Sequence, residues 1–176
     1  MPKKSFQWFS WAVVMALLSS SGLVNGALAH GPMPKTIIET TDIPAPPEVT
    51  WKRIGNFLDL KWRPEIASVV GTNGNEVGSL RTITLKGGGQ QIEKLESLSD
   101  AGMSMSYELI EPGPFPVSNL RATLSVTPNG NQGSKVEWKA TFMRADRSPK
   151  PSRDQDDAAA IRSVTDTFKS GLEAIH

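Results

Sequence analysis

The sequence predicts an α+β domain in which an antiparallel sheet packs on one face against helices. Three patterns indicate this fold class: a β-branched run with proline-marked helical spacing after it, then several segments that alternate with a period of two, and finally a long amphipathic helix. Runs of strands with helices segregated at the ends of the chain are typical of α+β domains. We therefore expect the helices to cover one face of a meandering sheet.

Residues 1–29 are predicted to be a secretory signal peptide rather than part of this domain. Lys3 and Lys4 precede an apolar run from Trp8 to Leu18, and Ala27-Leu28-Ala29 is an A-x-A cleavage site. The apolar run is shorter than the roughly 20 residues that span a bilayer, so no membrane span is expected after cleavage. The remaining residues, 30–176, are expected to form a single domain.

Charge and composition exclude several kinds of partner and chemistry. The chain has 19 basic and 18 acidic residues, and removal of the signal peptide takes two lysines and no acid, which leaves a net charge of −1. A near-neutral chain without a Lys/Arg run has no electrostatic footprint for nucleic acid or anionic membranes. The absence of cysteine excludes disulfides, thiolate nucleophiles and thiolate metal ligands.

The first half of the domain is predicted to contain a strand, helical turns and a second strand. Lys35–Asp42 is rich in β-branched residues and predicts the first strand. Pro46 to Leu60 follows with helical spacing, and Gly55 divides it into two short helices. Ile66–Val70 is a short strand candidate, and the loop of residues 71–78 is too rich in glycine and asparagine to be regular.

Five strands and a long helix are predicted for the rest of the chain. The strands are Leu80–Lys86, Gln91–Leu98, Met103–Ile110, Leu120–Pro128 and Lys135–Arg144, and the short turns between them make neighbours antiparallel. The helix is predicted over Ser152–Ile175, with Ser152 and Gln155 as a capping box. Its apolar stripe consists of Ile161, Val164, Phe168, Leu172 and Ile175.

The order of these elements, together with one segment of the sequence, resembles a known superfamily. The segment IETTDIPAPPEVTWKRIGNFLDLKW, followed by a strand meander and a terminal helix, is similar to the START-like or polyketide cyclase-like (SRPBCC) superfamily. That resemblance implies a helix-grip (START/Bet v 1-like) fold, in which a curved antiparallel sheet wraps around a long C-terminal helix, with two short helices after the first strand. It also implies a cavity between the sheet and the long helix that accepts an apolar or amphipathic small molecule.

A narrower resemblance concerns one group within the superfamily. The segments HGPMPK, GNEVGSLRTITLKGGG, PFPVSNLRATLSV and VEWKATFMRA are similar to the periplasmic methanol-oxidation accessory proteins of methylotrophs (MxaD-like). This resemblance implies a periplasmic location and a role in assisting a quinoprotein methanol dehydrogenase or its electron transfer to a c-type cytochrome. No residue set here matches the active site of an enzyme member.

The candidate cavity residues come from the predicted inner faces. They are Trp62, Arg81, Met103, Met105, Tyr107, Trp138, Phe142, Val164 and Phe168. They would line a pocket if the sheet and helix stand apart, and would be plain core if the two touch. Arg81 either points inward to an anionic ligand or a buried acid such as Glu96, or lies at the sheet rim with its head in water, which we favour. A backbone-bonded core tyrosine is the favoured interpretation of Tyr107.

Little catalytic or metal chemistry is available to the chain. His30 and His176 are the only histidines, so an internal Ser-His-Asp triad or a buried histidine zinc site is excluded. No cofactor is predicted. His30 could chelate a transition metal through its α-amine and imidazole after cleavage, but a disordered terminus is the favoured interpretation.

Three functions are consistent with these observations. The favoured one is a non-enzymatic accessory and binding protein of a periplasmic dehydrogenase system, with Phe115, between two prolines, as either a partner contact or a loop staple. The second is a carrier or sensor of an apolar molecule, which requires an open cavity. The third is a cyclase- or dehydratase-type enzyme that uses Arg81, Glu96 or Tyr107 as acid or base.

Overall fold

The computed structural model describes residues 31–175, and the predicted signal peptide and His30 therefore lie outside the described residues. The strands are β1 (Lys35–Ile43), β2 (Ile66–Gly71), β3 (Leu80–Leu85), β4 (Gln90–Ser99), β5 (Ser104–Glu111), β6 (Val117–Asn129) and β7 (Gly133–Arg144). The helices of this range are α1 (Pro47–Ile54) and α2 (Asp157–Glu173). Neither of them is long and apolar enough to cross a membrane.

The strands form one seven-stranded antiparallel sheet in the order β1-β7-β6-β5-β4-β3-β2. Strands β2 to β7 are joined to their sequence neighbours, whereas β1 pairs with β7, so β1 and β2 form the two edges. Register shifts between Ile66 and Ser68, within β4, and between Ser118 and Arg121 interrupt the ladders. Such bulges bend and twist strands, which gives the sheet its curvature.

The inner face of the sheet follows the alternation predicted from sequence. In β6 the buried residues include Leu120, Ala122, Leu124 and Val126, and in β7 they include Val136, Trp138, Ala140 and Phe142. Because successive side chains of a strand point to opposite faces, these two sets lie side by side beneath α2. They form one hydrophobic cluster with residues from both helices.

The region after β1 contains one helix rather than the two that we predicted. Helix α1 begins with Pro47 in its first turn and ends at Gly55, whose N–H donates to the Trp51 carbonyl at 2.7 Å. The chain then continues through tight turns instead of a second helix. Asn56 and Asp59 accept bonds through their side chains from backbone N–H groups two residues ahead, at 2.9 and 3.2 Å. These local bonds compete with helical ones and explain the difference.

The start of α2 also differs from our prediction, because Ser152 and Gln155 do not form a capping box. The N-cap is Asp156, whose carboxylate accepts from the Ala159 N–H at 2.8 Å. The Gln155 N–H donates to the Ser152 carbonyl at 2.9 Å, which closes a separate turn before the helix. A second carboxylate, that of Asp157, fixes this end of α2 to the sheet.

Asp157 contacts one cation from each of two neighbouring strands. Its oxygens lie 2.9 Å from Lys35 Nζ on β1 and 3.2 Å from Arg144 Nη1 on β7. The hydrogen bond from Lys35, together with the contacts to Arg144, lowers the pKa of Asp157 below its usual range. The first turn of α2 is therefore held against the β1–β7 edge by charge-assisted bonds.

Further along, α2 rests directly on the sheet. Val164, Phe168 and Leu172 are buried, and the Phe168 ring stacks on Trp138 with 4.0 Å between centroids and 8° between planes. Gly171 permits this close approach, because a Cβ at that position would lie 2.9 Å from the Trp138 ring. Full burial of each large apolar side chain contributes about 1.5–3 kcal/mol before ordering costs.

Substitution of Asp156 and of Ser152 distinguishes the observed N-cap of α2 from the predicted one. Asp156→Ala removes the bond to Ala159, and we expect it to lower the free energy of unfolding by about 1 kcal/mol. Ser152→Ala removes an exposed hydroxyl that bonds the exposed Asp154 carboxylate, and we expect a change within about 0.5 kcal/mol. Urea denaturation of both variants measures the difference. A larger loss for Ser152→Ala than for Asp156→Ala would contradict this assignment of the cap.

Candidate functional site

A small cavity lies between the inner face of the sheet and α2. Its apolar wall consists of Leu109, Phe115, Leu120, Trp138, Val164 and Phe168. Its polar wall consists of Arg63, Gln91, Glu93, Tyr107 and Thr167. The cavity volume is about 20 Å³, and about 10–15 Å³ by this measure is needed for a single water. The space therefore has room for roughly one water molecule.

Four of the nine predicted cavity residues line this space, namely Tyr107, Trp138, Val164 and Phe168. Met105 and Phe142 are buried in the core away from it. Trp62 packs behind Trp138 with 5.4 Å between ring centroids. Met103 precedes β5 and is partly buried at the margin of the core. The sheet and α2 therefore touch, and most of the predicted set serves as packing.

Arg81 is buried, and our favoured interpretation of it as a rim arginine is wrong. The exposed fraction of Arg81 is 2%, and that of Glu93 is 4%. The two residues are opposite each other on β3 and β4, and Arg81 Nε and Nη2 lie 2.6 and 2.5 Å from one oxygen of Glu93. Two charges so deeply buried are tolerated because each compensates the other.

The acid named as a possible partner of Arg81 lies elsewhere. Glu93 shares its strand face with the buried Gln91 and Leu95, so Glu96 has the opposite parity and points outward. Arg121 contacts both oxygens of Glu96 at 2.8 and 2.7 Å on the exposed side of the sheet. Glu96 is therefore not an interior acid.

Arg81 also connects the sheet to the turns that follow α1. Its Nη1 donates to the Phe57 carbonyl, and its guanidinium lies 4.1 Å from the Phe57 ring centroid and 5.1 Å from that of Tyr107. A flat guanidinium can stack on rings and donate in its own plane at the same time. Arg81 thus holds Phe57 against the inner face of the sheet.

A second buried arginine, which sequence reasoning missed, lies in the same turns. Arg63 is 3% exposed, and its Nε and Nη2 lie 2.7 and 2.5 Å from one oxygen of Glu65. Its guanidinium is also 5.3 Å from the Trp138 ring centroid. We call Arg63, Glu65, Arg81, Glu93 and Tyr107 the interior polar cluster. Its two arginines balance its two glutamates.

Tyr107 is the neutral member of the interior polar cluster. It is a core residue, as we favoured, but the partner of its hydroxyl is a side chain and not the backbone: the hydroxyl oxygen accepts a hydrogen bond from Trp138 Nε1 at 2.9 Å. Burial raises the pKa of Tyr107 far above its usual value near 10, and the nearby Glu93 carboxylate adds to this, although Arg63 and Arg81 oppose it. Tyr107 therefore keeps its proton and can act as a hydrogen-bond donor but not as a base at neutral pH.

Phe115 packs onto the core, which corresponds to the loop-staple alternative. It is half-buried and lines the cavity, and its N–H donates to the Pro112 carbonyl at 3.2 Å. Gln91 Nε2 donates to the same carbonyl at 3.2 Å and thereby fixes the loop to β4. The phenyl ring is accordingly directed to the interior space.

The described residues offer no group that could bind a metal ion through several protein ligands. Within residues 31–175 no three or more His, Asp or Glu side chains come together in this way. The remaining candidate, His30, lies outside that range. The site is thus a nearly filled interior with a balanced set of charges.

Comparison with known proteins places the chain among helix-grip structures. Residues 35–176 match the family described as polyketide cyclase / dehydrase and lipid transport. The solved structure of XoxI from Bacillus cereus is 29% identical, with a TM-score of 0.68, and the match covers 80% of this chain and 92% of that one. No curated protein matches the chain.

Two more distant structures share the fold alone. The Zhui aromatase/cyclase from Streptomyces sp. R1128 is 14% identical, with a TM-score of 0.69, over 81% of this chain and 92% of that one. Truncated norcoclaurine synthase from Thalictrum flavum is 15% identical, with a TM-score of 0.61, over 83% of this chain and 93% of that one. Both likenesses concern the curved antiparallel sheet and its C-terminal helix.

Removing one partner of the buried ion pair tests its structural role. Arg81→Met leaves Glu93 buried without its cation, and we expect a loss of about 3–5 kcal/mol in the free energy of unfolding. Arg81→Met combined with Glu93→Met should recover a large part of that loss, since no charge is then stranded. Arg121→Met is a matched control at an exposed pair and should cost at most about 1 kcal/mol. Equal losses in the two single variants would contradict the buried assignment.

Tyr107 is the only tyrosine of the chain, so its ionisation can be followed by absorbance near 295 nm. Because its pKa is raised in the folded state, we expect no tyrosinate signal while the protein stays folded above pH 10. The resulting stability is present below the unfolded pKa of about 10 and declines as the pH rises above it. Tyrosinate formation near pH 10 without loss of structure would contradict a buried Tyr107.

Proposed function

The chain belongs to the polyketide cyclase / dehydrase and lipid transport family, and from this premise we propose that it is a non-enzymatic accessory protein that acts by contact with a protein partner. The proposal includes export to the periplasm after cleavage of residues 1–29. The partner we propose is a quinoprotein methanol dehydrogenase or the c-type cytochrome that accepts its electrons.

The observation that carries this proposal is the filled interior. The cavity under α2 measures about 20 Å³, whereas sites for small organic ligands span about 300–1,000 Å³. The stack of Phe168 on Trp138 occupies the place where a ligand would separate the helix from the sheet. A function exerted at the surface requires no change in this packing.

The charges of the interior favour a structural role over catalysis. Arg81 and Arg63 are each paired with a glutamate, and Arg81 is further held by the Phe57 carbonyl. Of the acid–base candidates, Tyr107 is held protonated and Glu96 lies on the outer face. A cyclase-type reaction needs an acid or base that reaches the substrate, and Glu96 lies on the opposite face of the sheet from Arg81 and Tyr107.

The choice of partner is supported by sequence rather than by geometry. The segments GNEVGSLRTITLKGGG and PFPVSNLRATLSV resemble the methanol-oxidation accessory proteins, and in the structure they contain Arg81 and Phe115. Both residues contribute to the packing between the turns after α1, the sheet and the cavity. The resemblance therefore includes residues that maintain the filled interior.

A carrier of an apolar molecule is a second candidate. It is favoured by one observation, that the cavity combines an apolar wall with the Tyr107 hydroxyl. A ligand would have to displace Phe115 or α2 to enter. Saturable binding of an apolar fluorescent probe to the native protein would favour the carrier, and its absence would favour the accessory protein.

The proposed function is tested with purified components. Mature protein is added to purified methanol dehydrogenase and its cytochrome, and the rate of cytochrome reduction is measured over increasing protein concentration. We expect a saturable change in that rate, because a protein that acts by contact must occupy a finite number of sites. Heat-unfolded chain serves as the control. An unchanged rate, together with no complex by analytical ultracentrifugation, would contradict the proposal.

A further inference from the structure

The two edges of the sheet differ in how they are protected. Exposed edge strands carry unpaired N–H and C=O groups, and proteins usually guard them with charges, prolines or bulges. Strand β1 contains the charged residues Lys35, Glu39 and Asp42. Strand β2, with the sequence IASVVG, contains neither a charge nor a proline and exposes 71% of Val70. Of these protective features, β2 has a bulge near Ile66 alone. We call β2 the open edge of the sheet.

A groove runs beside this open edge. Its volume is about 520 Å³, and it lies between β2 and the turns at residues 58–64. The apolar part of its wall is formed by Leu58, Leu60, Pro64, Ile66, Ala67 and Val69, and Lys61 and Lys86 also line it. We call this space the β2 groove. Its lining includes four consecutive residues of β2, Ile66 to Val69.

Positive charge is concentrated around the β2 groove. A second groove of about 360 Å³ shares Asp59, Lys61 and Pro64 with it and adds Lys52 and Arg53. The charged lining of the two grooves thus comprises Lys52, Arg53, Lys61, Lys86 and Asp59, besides Arg63, which is paired with Glu65. This lining has four cations and one acid, whereas the chain as a whole is nearly neutral.

From these observations we infer that the β2 groove binds an extended acidic segment of a protein partner, which adds to the sheet as a strand next to β2. Main-chain hydrogen bonds to β2 would supply affinity, and carboxylates near Lys61 and Lys86 would select acidic segments. The inference rests on the proposed function, since it locates the surface through which an accessory protein would make contact.

Residues 1–30 and a second copy of the chain are both poorly suited to the groove. Residues 1–30 contain no aspartate or glutamate, and the chain that follows them leads into β1, at the opposite edge of the sheet. A second copy that paired through β2 would bring another uncharged strand to Lys61 and Lys86. Charge complementarity therefore favours an acidic partner over both of these alternatives.

The test uses ¹⁵N-labelled mature protein and two capped eight-residue peptides, one alternating glutamate with valine and the other alternating lysine with valine. We expect the glutamate peptide to shift and protect the amides of β2, while those of β1 stay unchanged. Lys61→Gln combined with Lys86→Gln should weaken binding about fivefold, and added salt should weaken it further. Lys139→Gln with Lys150→Gln, which changes the net charge equally at exposed positions outside the groove, should have no effect.

Three outcomes would overturn the inference. They are equal binding of the two peptides, shifts located at β1 or in the cavity, and concentration-dependent protection of β2 without peptide, which would indicate a second copy. The proposed function fails separately. If the Lys61 and Lys86 variant changes the rate of cytochrome reduction at the same protein concentrations as the unaltered chain, the accessory role stands and this surface is wrong. If the glutamate peptide binds at β2 but the rate does not respond, the surface stands and the accessory role is wrong.

Discussion

The contacts of the Trp138 indole are the interaction on which the rest of the structure depends. One face of the ring stacks on Phe168 of α2, and the ring nitrogen donates to Tyr107 on β5. Trp62 and the guanidinium of Arg63 approach the same ring from the turns after α1. Helix, sheet and turns are thus joined through one rigid side chain, whose fixed shape leaves little space between them.

Burial of the arginines follows from this arrangement. The turns after α1 bring Phe57 and Arg63 under the sheet. The Phe57 carbonyl and the Arg63 guanidinium therefore require polar partners there. Arg81 satisfies the Phe57 carbonyl and is in turn neutralised by Glu93, while Glu65 neutralises Arg63. A balanced pair in the interior costs more to break than to keep. The interior polar cluster is therefore best understood as the means by which irregular backbone is packed against a sheet.

Sequence patterns predicted the strands and the inner faces of β6 and β7 well, because apolar residues recur there with a clear period of two. They failed where a polar residue occupied an inward position. Arg81 was predicted to lie at the rim, but it is opposite Glu93, which faces the interior. The alternation that places Gln91, Glu93 and Leu95 on one face of β4 could have indicated a buried acid there. The open edge at β2 could not be predicted, because the strand order depends on the pairing of β1 with β7.

That pairing also constrains how the protein can fold. Lys35 lies opposite Phe142, so β1 pairs with the last strand of the meander. Strands that are far apart in the sequence pair late and slowly, because the entropy of the intervening chain is lost before the new contacts stabilise the structure. Strand β1 therefore stays unpaired until β7 is in place. The β2-to-β7 meander can form earlier from short hairpins, so the edge bearing β1 and the first turn of α2 is expected to be completed last.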